Sequence, residues 1–153
     1  MKKTLYSLFA ILALCLFAGC SDDDDTPPVG NDIVGEWELT SWTGDVPAGF
    51  SAYAVFNADA TFSLYQKVET VRYQIYTGSF RLDGQILSGE YANGTPWGAS
   101  YEVEFDQTGK TMRMVSQTPV QEVSTFTRTT IPADIVSGAV PAKASRAEGF
   151  LFF

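Results

Sequence analysis

The sequence contains no histidine and only two cysteines, Cys15 and Cys20. Both cysteines lie at the N-terminal end, so the remaining chain offers no thiol for a disulfide or a nucleophile. Without histidine, a Ser-His-Asp triad and the usual zinc sites lack their parts. We therefore expect a domain held together by packing alone, with no metal, no cofactor and no enzymatic activity.

Basic residues are also scarce, with ten Lys and Arg against eighteen Asp and Glu, for a net charge of −8. Without residues 1–19, which include Lys2 and Lys3, eight basic residues would face the same eighteen acidic ones, for a net charge of −10. A chain this acidic repels phosphate backbones, so we expect no nucleic acid partner.

The first twenty residues are arranged as a secretory signal. Lys2 and Lys3 precede an apolar run at 5–17 that is too short to span a bilayer comfortably. The following Ala-Gly-Cys at 18–20 resembles the lipobox of bacterial lipoproteins, in which the cysteine is acylated, with chains such as palmitate, and becomes the new N-terminus. Leucine is commoner than phenylalanine directly before this motif. We expect residues 1–19 to be removed and Cys20 to anchor the protein to a membrane, which takes two or more acyl chains for stability.

We interpret residues 20–32 as a tether, because a stretch with five aspartates, two prolines and a glycine cannot bury apolar surface. Acidic residues directly after the lipidated cysteine resemble the signal that exports lipoproteins of the Bacteroidota to the outer face of the outer membrane. The alternative is a solvated spacer. On the first interpretation the protein is lipid-anchored in the outer membrane and exposed at the cell surface.

From residue 34 to about 130, short segments alternate apolar and polar residues and are separated by Gly, Asn and Asp. This pattern is typical of strands and hairpin turns. Eight consecutive strands without a long amphipathic helix favour a meander, and closure of the meander protects its two edges. We predict an all-β, small eight-stranded antiparallel up-and-down barrel over residues 33–132, with strands at 34–43, 50–57, 61–68, 71–82, 85–92, 98–106, 110–117 and 121–130.

Both ends of this run carry a resemblance to the lipocalin and calycin group. Gly35-Glu36-Trp37 forms a G-x-W in the first strand, and Arg128 lies near the end of the last. In that group the tryptophan closes the barrel floor and the arginine lies across its ring. The resemblance implies a barrel-closure set of Gly35, Trp37 and Arg128.

More particularly, residues 33–132 resemble the lipocalin-like domain of small lipoproteins of the Bacteroidota. The segments that carry this resemblance are IVGEWELTSW, YAVFNADATFSLYQ, YTGSFRLDGQILSGEY, YEVEF, TMRM and FTRTTIP. Two further conserved stretches of secreted lipocalins are lacking, so retinoid-type ligand binding is not implied.

An eight-stranded barrel either fills its interior with side chains or holds one small ligand. Strand alternation, together with the loop at 92–98, gives six candidate ligand-binding residues: Leu64, Trp97, Tyr101, Met112, Met114 and Phe126. The first hypothesis is a monomer that binds a small apolar or amphipathic molecule. The alternative is an interaction module for a protein or glycan with a filled core and no internal ligand.

Three aromatic residues near strand ends and loops, Trp42, Tyr91 and Trp97, permit two interpretations. They form an exposed stacking surface at the barrel mouth, or they fold back and cap the barrel. Two acidic pairs, Glu36 with Glu38 and Glu102 with Glu104, are expected on the solvent side, since buried residues alternate with them.

Residues 133–153 form a C-terminal extension that ends in GFLFF. These apolar residues need cover from water. We expect the extension to pack on the barrel exterior or to add a short strand. A transmembrane barrel is not favoured, because the strands are short and show no sustained lipid-facing band.

Overall fold

A computed structural model describes residues 32–147 and 150–153. The predicted signal peptide, Cys20 and nearly all of the predicted tether lie outside the described residues. No described helix has the length and apolar composition needed to cross a bilayer.

Eight antiparallel strands form the domain, each paired with its neighbours in the chain. Strand β1 also pairs with β8. Because β3 pairs with β4 as well as with β2, the sheet closes on itself. The structure thus confirms the predicted all-β, eight-stranded antiparallel up-and-down barrel. The strands are β1 Gly35–Trp42, β2 Ser51–Phe56, β3 Thr61–Lys67, β4 Gln74–Asp83, β5 Ile86–Tyr91, β6 Tyr101–Phe105, β7 Thr111–Ser116 and β8 Val123–Arg128.

The alternating strand directions give the barrel two distinct ends. At one, the floor end, the chain enters β1 and leaves β8, and the links 57–60, 84–85 and 106–110 lie there. At the other, the open end, lie the longer links 43–50, 68–73, 92–100 and 117–122.

The barrel interior follows the alternation of the strands. On β3, for example, Phe62, Leu64 and Gln66 face inward, and the three side chains are almost completely buried. Apolar side chains from all eight strands contribute to or pack against one core cluster, which is therefore the core of the whole barrel. Its members on the strands include Trp37, Ala54, Phe56, Phe62, Leu64, Phe80, Leu87, Tyr101, Val103, Met112, Met114 and Phe126.

A second, smaller cluster lies on the barrel exterior. Tyr53 and Tyr65 are at alternating positions opposite to the inward set, and they pack with Ile131. Ile135 of the short helix α1, Ala133–Gly138, packs against this cluster. Burial of these apolar groups holds the segment after β8 against the outer wall.

A short strand, β9 (Val140–Pro141), continues from α1 and pairs in parallel with β4 at Gln74 and Ile75. This first part of the extension therefore packs on the outside and adds a short strand. Since Gln74 begins β4 at the open end, β9 brings the chain to the mouth of the barrel.

Candidate functional site

The floor of the barrel is built around Trp37, whose side chain is completely buried. Its indole Nε1 donates a hydrogen bond to the Ile33 carbonyl at 2.8 Å. The guanidinium carbon of Arg128 lies 4.2 Å from the centroid of the Trp37 ring, which is a cation–π contact. The structure thus brings together the two side chains that the family resemblance places at the floor.

Arg128 also binds three main-chain carbonyls. Its Nε donates to Gly109 at 2.9 Å, Nη1 to Val34 at 2.7 Å and Nη2 to Asp32 at 2.7 Å. These acceptors lie on the entering chain and on the link between β6 and β7. One charged side chain therefore ties three segments together at the floor end.

Gly35, the third residue of the barrel-closure set, has a φ of +140°, a backbone conformation that L side chains rarely adopt. A Cβ atom at this position would also collide with the Arg128 guanidinium. Glycine thus lets the arginine pass over the tryptophan.

Residues 150–153 lie inside the barrel, and we call this segment the C-terminal plug. The exposed fraction of Phe153 is 1%, and Leu151 and Phe152 are also buried. Phe153 contacts Phe56 and Phe62 of one wall as well as Tyr101 of another. The expected exterior position of GFLFF is therefore not what the structure shows for these residues, because the lumen provides the apolar surroundings that the outer wall would have supplied.

Aromatic rings surround the two terminal side chains of the plug. The ring of Phe153 stacks on Trp97 with centroids 4.3 Å apart and planes inclined by 19°. The ring of Phe152 meets Trp42 at 5.2 Å and Phe126 at 5.7 Å, both edge to face. Such pairs stabilise beyond their buried area, each by about 0.5–1.5 kcal/mol.

Polar side chains of the lumen bind the main chain of the plug. Gln66 Nε2 donates to the Phe150 carbonyl at 2.6 Å, and its Oε1 accepts from the Phe152 amide at 3.1 Å. The Tyr101 hydroxyl donates to the Phe152 carbonyl at 3.3 Å, and the Tyr91 hydroxyl donates to the main-chain oxygen of Phe153 at 3.2 Å. Polar groups of the plug that would be costly to bury are therefore satisfied by the barrel.

Burial changes the acidity of these two phenols. It raises the pKa of Tyr101 to about 12, an effect that the nearby Arg146 partly opposes. Burial also raises the pKa of Tyr91 far above its ordinary value. Both hydroxyls therefore keep their protons, and remain hydrogen-bond donors, to a higher pH than an exposed tyrosine would.

The segment before the plug is held by the link between β5 and β6. Asn93 Nδ2 donates to the Ala144 carbonyl at 2.7 Å. Arg146 Nη2 donates to the Pro96 carbonyl of this link at 3.4 Å and to the main-chain oxygen of Phe153 at 2.9 Å. The chain is thus fastened across the open end immediately before it enters the lumen.

Trp97 enters the core from the same link, at the place where β5 and β6 share only two residue pairs. Gly89 makes room for it, because a Cβ there would collide with the indole ring. The exposed fraction of Trp97 is 7%, yet its Nε1 has no hydrogen-bond partner among the described residues. A buried indole donor thus remains without a partner in the part of the chain that the structure describes, which is uncommon in a folded domain.

The structure gathers all six candidate ligand-binding residues into the core cluster of the barrel interior. Three of them contact the plug directly, namely Trp97, Tyr101 and Phe126. The exposed aromatic surface does not form at Tyr91 and Trp97, which fold back and are buried, and Trp42 is half-buried against the plug. The sequence analysis did not identify Gln66 as a site residue. Its alternation with Phe62 and Leu64 on the same face of β3 could have indicated a buried polar group.

The acidic pairs lie outside the lumen. Glu36 accepts a hydrogen bond from the Ile131 amide at 2.6 Å, and Glu104 forms an exposed ion pair with Arg113 at 3.1 Å. Within the described residues, no group of three or more His, Cys, Asp or Glu could hold a metal ion.

A small closed barrel with a tryptophan–arginine floor and an enclosed aromatic lumen defines the lipocalin-like class. Residues 33–114 match the family model described as a lipocalin-like domain, and the chain belongs to this family. No curated protein matches the chain significantly. Among solved structures it is similar to one titled "REP1-NXSQ fatty acid transporter", at 12% identity and a TM-score of 0.41, over 66% of this chain and 98% of that one.

Proposed function

We propose that the protein is a lipid-anchored lipoprotein of the outer membrane, held at the cell surface through Cys20, whose barrel binds a small apolar or amphipathic molecule. The proposed anchor rests on the Ala-Gly-Cys at 18–20 and on the four aspartates after it. The proposed ligand site is the part of the lumen that the C-terminal plug occupies.

The observation that carries the ligand proposal is that a segment outside the eight strands of the barrel fills its lumen. The plug places aromatic rings against Phe62 and Phe126 and its polar main chain against Tyr91 and Tyr101. An amphipathic molecule would use the same division between an apolar interior and polar groups. The buried Nε1 of Trp97 would supply one more donor for an oxygen atom of such a ligand.

Two substitutions at the plug test this proposal without shortening the chain. The double variant Phe152→Ala/Phe153→Ala removes the rings that occupy the lumen and leaves the strands unchanged. We expect it to bind the fluorescent probe N-phenyl-1-naphthylamine saturably and to retain a lipid that native mass spectrometry detects. Val71→Ala is the matched control, because Val71 is 97% exposed in a loop, and it should bind the probe like the parent chain.

The opposite result would reject the ligand site. If the folded double variant binds no probe and carries no lipid, then the lumen is a core and not a binding site. Circular dichroism shows whether the variant is folded, so loss of structure is not mistaken for loss of binding.

The second candidate function is an interaction module with a filled core, and one observation favours it. Three exposed apolar side chains, Val46, Val71 and Val120, lie on three different links of the open end. Apolar groups gathered on one rim suit a contact with another protein. A stacking surface for a glycan has less support, since Tyr91 and Trp97 are buried. A failure of all ligand binding in the double variant would favour this module.

The anchor has its own test. Cys20→Ser removes the thiol that would be acylated, so we expect the protein to move from the detergent-extracted membrane fraction to the soluble fraction. Cys15→Ser is the matched control and should leave the distribution unchanged. Membrane retention of Cys20→Ser would contradict lipidation as the sole attachment. Protease treatment of intact cells then tests surface exposure.

A further inference from the structure

Gln66, near the open end of β3, has an exposed fraction of only 2%, below those of the buried residues Ser116 and Ser124. Its side-chain amide donates to the carbonyl of Phe150 and accepts from the amide of Phe152. This two-point contact brackets Leu151 as a neighbouring strand would, because a primary amide offers the same donor and acceptor as a peptide group. The Gln66 side chain thus binds a peptide main chain through both its donor and its acceptor.

A purely hydrocarbon ligand would leave both polar atoms of Gln66 buried without partners, which is costly. The other contacts of the plug follow the same logic. Tyr101 and Tyr91 donate to successive main-chain oxygens, at Phe152 and Phe153. Hydrogen bonds to the main chain, combined with pockets for side chains, are how proteins recognise extended peptides.

The barrel residues that surround the side chains of Phe152 and Phe153 favour aromatic residues at these two positions of the peptide. Phe153 stacks on Trp97, and Phe152 lies edge to face with Trp42 and Phe126. Among the described residues, the main chain of the plug is bound by three side chains of the barrel, Gln66, Tyr91 and Tyr101, and by Arg146 of the connecting segment. Covalent connection to the barrel therefore acts mainly by raising the local concentration of the plug.

We infer that the open half of the lumen is a peptide-recognition site, which binds residues 150–153 in cis and binds the same apolar Phe-Leu-Phe-Phe sequence as a separate molecule. This inference goes beyond the proposed small-molecule ligand, because it assigns the polar groups of the lumen to a peptide main chain. The class of ligand is a short extended peptide with two adjacent aromatic residues.

The test keeps the whole chain. A protease recognition sequence is inserted after Ala147, which is exposed, and the folded protein is then cut there. The cut protein is unfolded and refolded with an excess of isotope-labelled peptide Glu-Gly-Phe-Leu-Phe-Phe, and native mass spectrometry measures the bound fraction. We expect a one-to-one complex in which the labelled peptide has replaced the original segment.

A modified peptide tests main-chain recognition without changing the protein. N-methylation of the amide that corresponds to Phe152 removes the hydrogen bond to Gln66 and keeps every side chain. We expect this peptide to bind at least tenfold more weakly. Gln66→Leu should reduce binding of the unmodified peptide by a similar factor, whereas Gln107→Leu, at an exposed position on the link 106–110 of the floor end, should not.

Two results would overturn the inference. One is a cut protein that refolds but holds neither the original nor the labelled peptide, and the other is equal binding of the N-methylated and unmodified peptides. The small-molecule proposal fails separately, because the probe test on Phe152→Ala/Phe153→Ala involves no added peptide and leaves Gln66 unchanged.

Discussion

The floor end and the open end of the barrel are closed by different means. At the floor, Trp37 and Arg128 belong to strands that pair directly, with these two residues in register. At the open end, the C-terminal plug enters from a segment that first passes along the outer wall through α1 and β9. The floor is therefore part of the barrel wall, whereas the plug is a separate segment that the wall holds.

This difference has an energetic consequence. Removing a floor residue breaks contacts between β1 and β8, and the surrounding structure relaxes only partially into the space that is left. The plug is held by side chains of Gln66, Tyr91 and Tyr101 and by aromatic packing, so we expect it to leave while the strand pairs persist. We expect substitutions at the floor to affect global unfolding most and substitutions at the plug to affect local opening most.

The largest effect is expected from Trp37→Ala. The change empties a completely buried position beneath the lumen and removes the ring under Arg128. We expect the free energy of unfolding to fall by about 3–5 kcal/mol, which denaturant titration measures. A loss below about 1 kcal/mol would mean that Trp37 does not support the floor.

For Phe153→Ala we expect a smaller fall in the free energy of unfolding, about 3 kcal/mol. The reason is that the plug can shift and fill part of the cavity that the ring leaves. The sharper readout is hydrogen exchange of the Phe152 amide, which Gln66 protects. We expect this amide to exchange much faster in the variant while the β1 and β8 amides change little. Equal acceleration across the barrel would show that the plug and the floor belong to one cooperative unit.

Arg128→Gln tests the charged part of the floor. The variant loses the cation–π contact and at least two of three hydrogen bonds to main-chain carbonyls, so we expect a loss of about 2 kcal/mol. Arg113→Gln on the neighbouring strand β7 is the control. Its ion pair with Glu104 is about half exposed on both sides, and its loss should cost less than about 0.5 kcal/mol. Similar losses of unfolding free energy in both variants would mean that Arg128 contributes no more to stability than an exposed ion pair does.

The sequence predicts the barrel wall well, because each strand follows a two-residue alternation that turns interrupt. The eight predicted strands match those observed to within three residues at each end. The inward positions of Leu64, Met112, Met114 and Phe126 follow from the same alternation. The alternation within each strand and the closure of the barrel both predict the same inward face. No information from other parts of the sequence is needed to place these residues.

The plug could not be predicted in the same way. The apolar character of GFLFF requires burial, but burial inside the lumen or against the outer wall satisfies that requirement equally. The choice depends on Gln66, Tyr91 and Tyr101, which are far away in the sequence. Gln66 was the informative residue, because an inward polar position in an apolar strand requires a partner from elsewhere.

The smallest expected effect is on the pH dependence of unfolding, and it comes from a phenol that binds the plug. This effect is seen only at high pH. The pKa of Tyr101 is about 12 in the folded protein, whereas the ordinary value is 10.0. The unfolded chain therefore releases this proton first, and the stabilising contribution, complete below pH 10, is lost as the pH rises toward 12. Denaturant titrations from pH 9 to 11.5 should show unfolding free energy falling with pH, and Tyr101→Phe should make that slope shallower by up to about 1.4 kcal/mol per pH unit. An unchanged slope in Tyr101→Phe would mean that this hydroxyl is not buried against the plug, and the open end would then be held by Gln66 and aromatic packing instead.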